Sequence, residues 1–351
     1  MNKIIQGDAL EVLKTLENES IDCVITSPPY WALRDYGVEG QLGLEPTFQE
    51  YITKLCDIFD EVKRVLKKEG TCWVVIGDTY YGSGKGVGGD IKKSKESYQM
   101  PEDWKRPSRD NFNKIKVECV CLFCKQKFKG KPKSQFCSTT CLNKMGNDFR
   151  SQNRQMPDKS LCQIPSRFTI EMTNRGWILR NEIIWHKPNC MPSSVKDRFT
   201  VNFEKVFFFV KNKKYWFETQ YEKYTAPMNR WGGDKLKADG KSNWDNGTGQ
   251  DTYRDRNMRP NEEGRNKRTV WTITTKPFKE AHFAVFPEAL IEPMIKAGCP
   301  VNGIVLDCFF GAGTTGVVSL KLDRKYLGIE LNPEYIKIAQ DRIKPYENKL
   351  F

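Results

Sequence analysis

The strongest constraint on the fold is a glycine-rich turn near the carboxyl end. Gly303-Ile304-Val305-Leu306-Asp307 reads as a buried strand, residues 315–322 read as a helix, and Cys308 to Gly316 (CFFGAGTTG) lie between them. A strand feeding a glycine turn and then a helix is how an α/β fold brings backbone N–H groups against a ligand. Gly311-x-Gly313-x-x-Gly316 matches the dinucleotide fingerprint, which alone is a weak signal. Glu330 lies 17 residues beyond Gly313, at the end of the next predicted strand (326–330). There a carboxylate can accept hydrogen bonds from ribose hydroxyls. The turn predicts an adenosine-type cofactor, with close helix–sheet packing as the alternative use of the same glycines. No GxxxxGK[ST] occurs, not even at Gly82-Ser83-Gly84-Lys85, which disfavours a phosphate-cradling NTPase loop.

The remaining periodicity builds an α/β sheet around this turn. Residues 3–6, 21–26 (IDCVIT) and 71–76 (TCWVVI) read as strands, and 9–16 and 48–66 as helices. Lys67-Lys68-Glu69-Gly70 reads as a basic last turn with a glycine stop. Later, 164–175, 286–297 and 333–343 have helical spacing. Residues 177–185 and 205–211 read as a hairpin-like pair of strands at the sheet edge. Two stretches lack any period, 82–160 and about 221–267, and the second reads as a long loop or a small irregular domain. The expected division is 1–81 and 271–351 as two halves of one core, 161–217 as core edge strands, 82–160 as an insertion and 218–270 as a recognition segment.

Charge and cysteine fall mainly in the insertion. The 351 residues carry 57 Lys+Arg against 44 Asp+Glu, a net charge of +13. Residues 82–160 hold 18 basic and 8 acidic side chains, so +10 of that excess is there. The excess points to an anionic partner, nucleic acid first, with a basic surface kept for solubility as the plain alternative. Of twelve cysteines, five cluster at Cys119, Cys121, Cys124, Cys137 and Cys141. Cys121-x2-Cys124-x12-Cys137-x3-Cys141 has four-thiolate zinc spacing, which predicts structural zinc with Cys119 as a spare; buried free thiols are the alternative. The scattered cysteines read as small core residues. No long uncharged apolar run occurs and the start does not read as a signal peptide, so a cytoplasmic protein is expected, away from any membrane.

Two motifs carry a family resemblance. Asp307-Cys308-Phe309-Phe310-Gly311-Ala312-Gly313-Thr314-Thr315 resembles the D-x-F-x-G-x-G-T-T loop that binds S-adenosylmethionine in amino-methylating DNA methyltransferases. Thr26-Ser27-Pro28-Pro29-Tyr30-Trp31 resembles their catalytic loop. The catalytic loop comes first and the cofactor loop last, as in the permuted class β of that family. The likeness extends to residues 180–217 and 282–290; Cys308, where proline is usual, departs from it. It implies a circularly permuted, Rossmann-like methyltransferase sheet with S-adenosyl-L-methionine as cofactor. The implied cofactor residues are Asp8, Asp307, Phe309, Gly311, Gly313, Thr314, Thr315 and Glu330, with Asp8 at the adenine. The implied catalytic residues are Ser27, Pro28, Pro29 and Tyr30. The partner implied is double-stranded DNA in a prokaryotic or phage setting. A homodimer and a cognate restriction endonuclease encoded nearby both fit.

The chemistry of such a loop follows from its residue types. An exocyclic amine is a poor nucleophile because its lone pair is delocalised into the ring. Ser27 Oγ and the Pro28 carbonyl, stiffened by proline, can accept its hydrogens, and Tyr30 offers a face to a base drawn out of the duplex. No Pro-Cys dipeptide occurs, which argues against C5-cytosine methylation. Serine at 27 followed by Trp31 resembles the cytosine-N4 group more than the D-P-P-Y adenine group, with adenine N6 as the alternative. A zinc-containing DNA-binding protein on an inactive core is the competing class. A nicotinamide oxidoreductase would need a hydride-transfer site that the chain does not show. His186 and His282 read as structural. Trp231, Trp244, Tyr253, Arg254, Arg256, Arg259, Arg265 and Arg268 interleave aromatics with arginines, a composition suited to base reading.

Overall fold

The computed structural model describes residues 2–33, 38, 40–82, 117–120, 127–130, 156–223, 263–275 and 285–347. The chain divides into two units, Met1–Thr79 with Gln163–Phe351, and Tyr80–Cys162. In chain order the strands are β1 (Lys3–Gln6), β2 (Ile21–Thr26), β3 (Leu66–Ile76), β4 (Val117–Val120), β5 (Lys127–Gly130) and β6 (Ile178–His186). They continue with β7 (Phe203–Val210), β8 (Tyr221–Glu222), β9 (Arg265–Asn266), β10 (Val270–Thr272), β11 (Ile304–Asp307) and β12 (Lys325–Glu330). The helices are α1 (Ala9–Lys14), α2 (Phe48–Val65), α3 (Ile164–Asn174), α4 (Glu288–Gly298), α5 (Thr314–Lys321) and α6 (Pro333–Glu347).

Eight strands of the first unit form one sheet, ordered β1-β12-β11-β2-β3-β7-β6-β10. Pairing is parallel from β1 through β3 and again between β6 and β10, while β7 runs antiparallel to both neighbours. Helices α1, α2 and α3 pack along one face and α4, α5 and α6 along the other. A strand covered on both faces is apolar at nearly every position, as β2 and the second half of β3 are. β7 shows the alternation directly. Phe208 stacks on Trp73 at 4.1 Å and joins the core beneath Leu290, Ile291 and Met294 of α4. Phe209 turns the other way, to Phe168 of α3, which meets Phe59 of α2.

In the second unit β4 pairs antiparallel with β5. Cys121, Cys124, Cys137 and Cys141 lie outside the described residues, as do most of 82–160 and residues 224–262. Tyr326 joins the two ends of the chain: its N–H donates to Asn2 Oδ1 at 3.2 Å and its hydroxyl to Glu347 at 3.1 Å. Among the described residues, no helix is long and apolar enough to cross a membrane.

Two expectations need correction. Helix α2 ends at Val65, and Lys67 to Gly70 belong to β3. Leu66 is already extended and pairs with Ile21, and Lys67 Nζ reaches Asp22 at 2.7 Å. A bulge against β2 therefore carries the residues that mimic a helix stop. The pair β6–β7 forms as expected, but it is not the sheet edge. β7 sits inside against β3, and β10 covers β6 with Trp271 buried.

Phe208 is 2% exposed, so Phe208→Ala should remove about 3–5 kcal/mol of unfolding free energy in urea titrations. Ile170→Ala, at a position 61% exposed, should change it by no more than about 0.5 kcal/mol.

Candidate active site

A cavity of about 730 Å³ opens at the carboxyl ends of the parallel strands, where open α/β sheets hold their ligands. Ser27 to Tyr30 line it from the end of β2 and Phe309 to Ala312 from the end of β11. Asp8 and Glu330 reach it from the ends of β1 and β12, and Lys187 and Glu204 from β6 and β7. The sequence places these groups up to 322 residues apart, from Asp8 to Glu330; the strand order makes them neighbours.

Asp307 ties the two loops together from behind the cavity wall. Fully buried, it accepts hydrogen bonds from Thr26 Oγ1 (2.6 Å), Thr315 Oγ1 (2.7 Å) and the Phe309 N–H (3.1 Å). Burial pushes its carboxyl up to about 6, against these three donors, which favour the charged form. Gly313 and Thr315 are likewise buried behind the wall. Gly313 adopts φ +76°, and a Cβ there would lie 2.8 Å from Ala339 of α6. Gly311 differs: a Cβ would meet nothing nearer than 4.0 Å, on the side that lines the cavity. Both uses of the fingerprint glycines are thus present, packing at Gly313 and an open backbone at Gly311.

Glu330 accepts from the Gly311 N–H at 2.7 Å and the Asn332 N–H at 2.9 Å. Burial raises its carboxyl above the ordinary value, and these N–H groups pull it back. Phe309 and Thr314 line the cavity beside it. Asp8 also lines it, while capping α1 by accepting from the Glu11 N–H at 3.1 Å. That cap is legible in Asp8-Ala9-Leu10-Glu11, an N-cap acid with Glu three residues on.

On the opposite wall, which Ser27 also lines, the Tyr30 hydroxyl donates to Glu204 at 2.8 Å. Burial and the Glu204 charge hold the phenol well above its ordinary value, with Ser27 opposing them. Tyr51 Oη donates to the Pro29 carbonyl at 2.8 Å, and no hydrogen bond among the described residues takes up the Pro28 carbonyl. Trp31 belongs to the framework: it is buried, donates to the Glu45 carbonyl at 3.0 Å and meets Phe48 edge-on. Glu204 was not legible as a site residue, because nothing local in Asn202-Phe203-Glu204-Lys205 distinguishes it from a strand-end charge.

A DNA methylase family model covering both N6 and N4 enzymes matches residues 21–341. The chain belongs to the N6/N4 DNA methylase family. It is 37% identical to the Type II methyltransferase M.SmaI of Serratia marcescens, over 97% of this chain and 90% of that protein. It is 36% identical to M.Cfr9I of Citrobacter freundii, over 97% and 87%. Among solved structures, PvuII DNA methyltransferase (cytosine-N4-specific) superposes with a TM-score of 0.56 at 18% identity, covering 99% of this chain and 92% of that one. A putative DNA modification methylase of Thermus thermophilus, solved with S-adenosyl-L-methionine, gives 0.50 at 20% identity, covering 99% and 94%. These two likenesses concern the fold.

In this DNA methylase the pH response of Asp307 has a definite sign. Its folded value, about 6, lies above the ordinary 3.8, so between pH 4 and 6 the folded state binds more protons there than the unfolded chain. Stability therefore falls as pH rises through that window, by about 3 kcal/mol at most, and is level above it. Asp307→Asn lacks this slope. In urea titrations the variant should gain on the wild type from pH 4 to 6 and hold a constant difference beyond. A constant difference throughout would mean that Asp307 titrates as an ordinary acid.

Proposed function

We propose that the chain transfers a methyl group from S-adenosyl-L-methionine to the N4 amine of cytosine in duplex DNA, with the target base turned out of the helix. The observation that carries this reading is the convergence of both motif loops on one cavity, tied by the Thr26–Asp307 hydrogen bond. Serine at position 27 with Trp31 favours N4 over the alternative, adenine N6. We read the strand order as a circular permutation of a Rossmann-like methyltransferase sheet.

The residues present suit the cofactor. Gly311 leaves its backbone open to the cavity, Phe309 offers an apolar face, and Glu330 retains acceptor capacity for ribose hydroxyls beyond its two N–H partners. Asp8 is placed to reach the adenine. When bound, the cofactor supplies an electrophilic methyl on a sulfonium. Ser27 lines the cavity, and the lone pairs of its Oγ are offered to an amine N–H. The Pro28 carbonyl takes the second amine hydrogen. Together they draw the nitrogen toward a tetrahedral, nucleophilic form, and the walls hold it in line.

The zinc reading attaches to the insertion. Cys121 and Cys124 fall in the connection between β4 and β5, whose pairing closes at Val120 opposite Lys127. That brings both ends of the Cys-x2-Cys connection together, which suits a thiolate pair. Zinc there would order a basic segment against DNA phosphates and would take no part in methyl transfer.

Nuclease digestion of DNA methylated by the enzyme, followed by mass spectrometry, should show N4-methylcytosine; N6-methyladenine alone would establish the alternative. Metal analysis of freshly purified protein should find about one zinc per chain. Metal-free protein whose folding ignores chelators would remove the zinc site.

A further inference from the structure

We infer that Glu204 is a positioning residue for methyl transfer, holding the Tyr30 ring and the Lys187 ammonium in the target-base half of the cavity. The inference rests on the methyl-transfer reading above and assigns a new participant to it.

Three separate strands fix the Tyr30 ring. Its backbone leaves β2, and the ring packs against Gly77, just past the end of β3; a Cβ at Gly77 would come within 2.5 Å of Tyr30 Cε2. Its hydroxyl is held by Glu204 of β7, 174 residues away in sequence, at 2.8 Å. The other carboxylate oxygen of Glu204 takes Lys187 Nζ, which sits 4.1 Å from the centre of the Trp185 ring. Tyr30, Glu204, Lys187 and Trp185 all line the cavity. The Lys187 and Glu204 side chains are only 16% and 22% exposed, so the pair gives up much hydration in that position. A surface ion pair at strand ends would need neither the tyrosine nor this burial. The arrangement instead holds Tyr30, which lines the cavity, by its hydroxyl and against Gly77, and so restricts the ring. Ordering the ring before a base arrives lowers the entropy lost when the base stacks on it.

The test uses the full-length enzyme as wild type, Glu204→Ala, Glu204→Gln, Tyr30→Phe and the Tyr30→Phe/Glu204→Ala double variant. Two quantities are read: S-adenosyl-L-methionine affinity by calorimetry, and the single-turnover rate of tritiated-methyl incorporation into unmethylated genomic DNA. Glu204→Ala should slow transfer about 10- to 100-fold with cofactor affinity within about twofold of wild type. Glu204→Gln still accepts the Tyr30 hydroxyl and should recover to within about fivefold of wild type. Tyr30→Phe breaks the Tyr30 link alone and should be no slower than Glu204→Ala, which also releases Lys187; the double variant should be no slower than Glu204→Ala, because the Tyr30 link is already lost in it. Four results would overturn the role: an unaffected Glu204→Ala rate, a Gln variant as slow as Ala, multiplying losses in the double variant, or cofactor affinity falling with the rate. Because label enters either base, the outcome does not depend on N4 or N6. A wild type that incorporates no label would overturn this role together with the methyl-transfer reading, whereas a normal wild type beside an unaffected Glu204→Ala overturns the role alone.

Discussion

The site depends on one buried carboxylate. Asp307 stands inside the sheet, at the end of β11, with β2 on one side and β12 on the other. Its hydrogen bonds to Thr26, Thr315 and the Phe309 N–H join the last residue of β2, which leads into Ser27–Tyr30, to both limbs of the glycine turn. An acid without solvent is costly unless its lone pairs are taken up, and here two hydroxyls and a main-chain N–H do so. The same contacts fix the spacing between the two motif loops. Neither loop could shift along its strand without stranding a buried polar group.

The long connections between these loops are tolerated because the core closes around them. Residues 80–162 leave after Thr79 and return at Gln163. Next to those positions, Asp78 Oδ1 accepts from the Ile164 N–H at 3.1 Å and from the Thr79 N–H at 2.8 Å. The excursion therefore departs from and rejoins neighbouring points of the first unit. Loop closure grows only logarithmically with length, so many added residues there change the core little. The segment 224–262 is treated in the same way by the short pair β8–β9, where Glu222 binds both Arg265 and Arg268.

What could be read from sequence was what local chemistry writes. The glycine turn, the apolar strands β2, β11 and β12, and the helices from α2 to α6 all carry their own periodicity. The basic turn and glycine at 67–70 misled because a bulged strand uses the same residues as a helix stop. β10 was invisible because three residues carry no period; Trp271 is buried only because β6 lies beside it. Glu204 escaped for a related reason. Its role comes from a tyrosine two strands away, and no local pattern encodes a contact across 174 residues.

The charge distribution has a consequence for how chemistry and grip are divided. With +10 of the +13 in residues 82–160, the rest of the chain is close to neutral. The cavity itself carries Asp8, Glu45, Asp57, Glu204 and Glu330 against Lys54 and Lys187. On the proposed reading, the cofactor brings a sulfonium cation into this cavity while the DNA brings phosphates. A basic excess around the cavity would repel the first while attracting the second. With the excess carried by residues 82–160, the cavity lining itself stays acidic and suits the cation, while the basic segment suits the polyanion. Within the cavity, Lys187 does not break that pattern, because its charge is matched by Glu204 and spread over the face of Trp185.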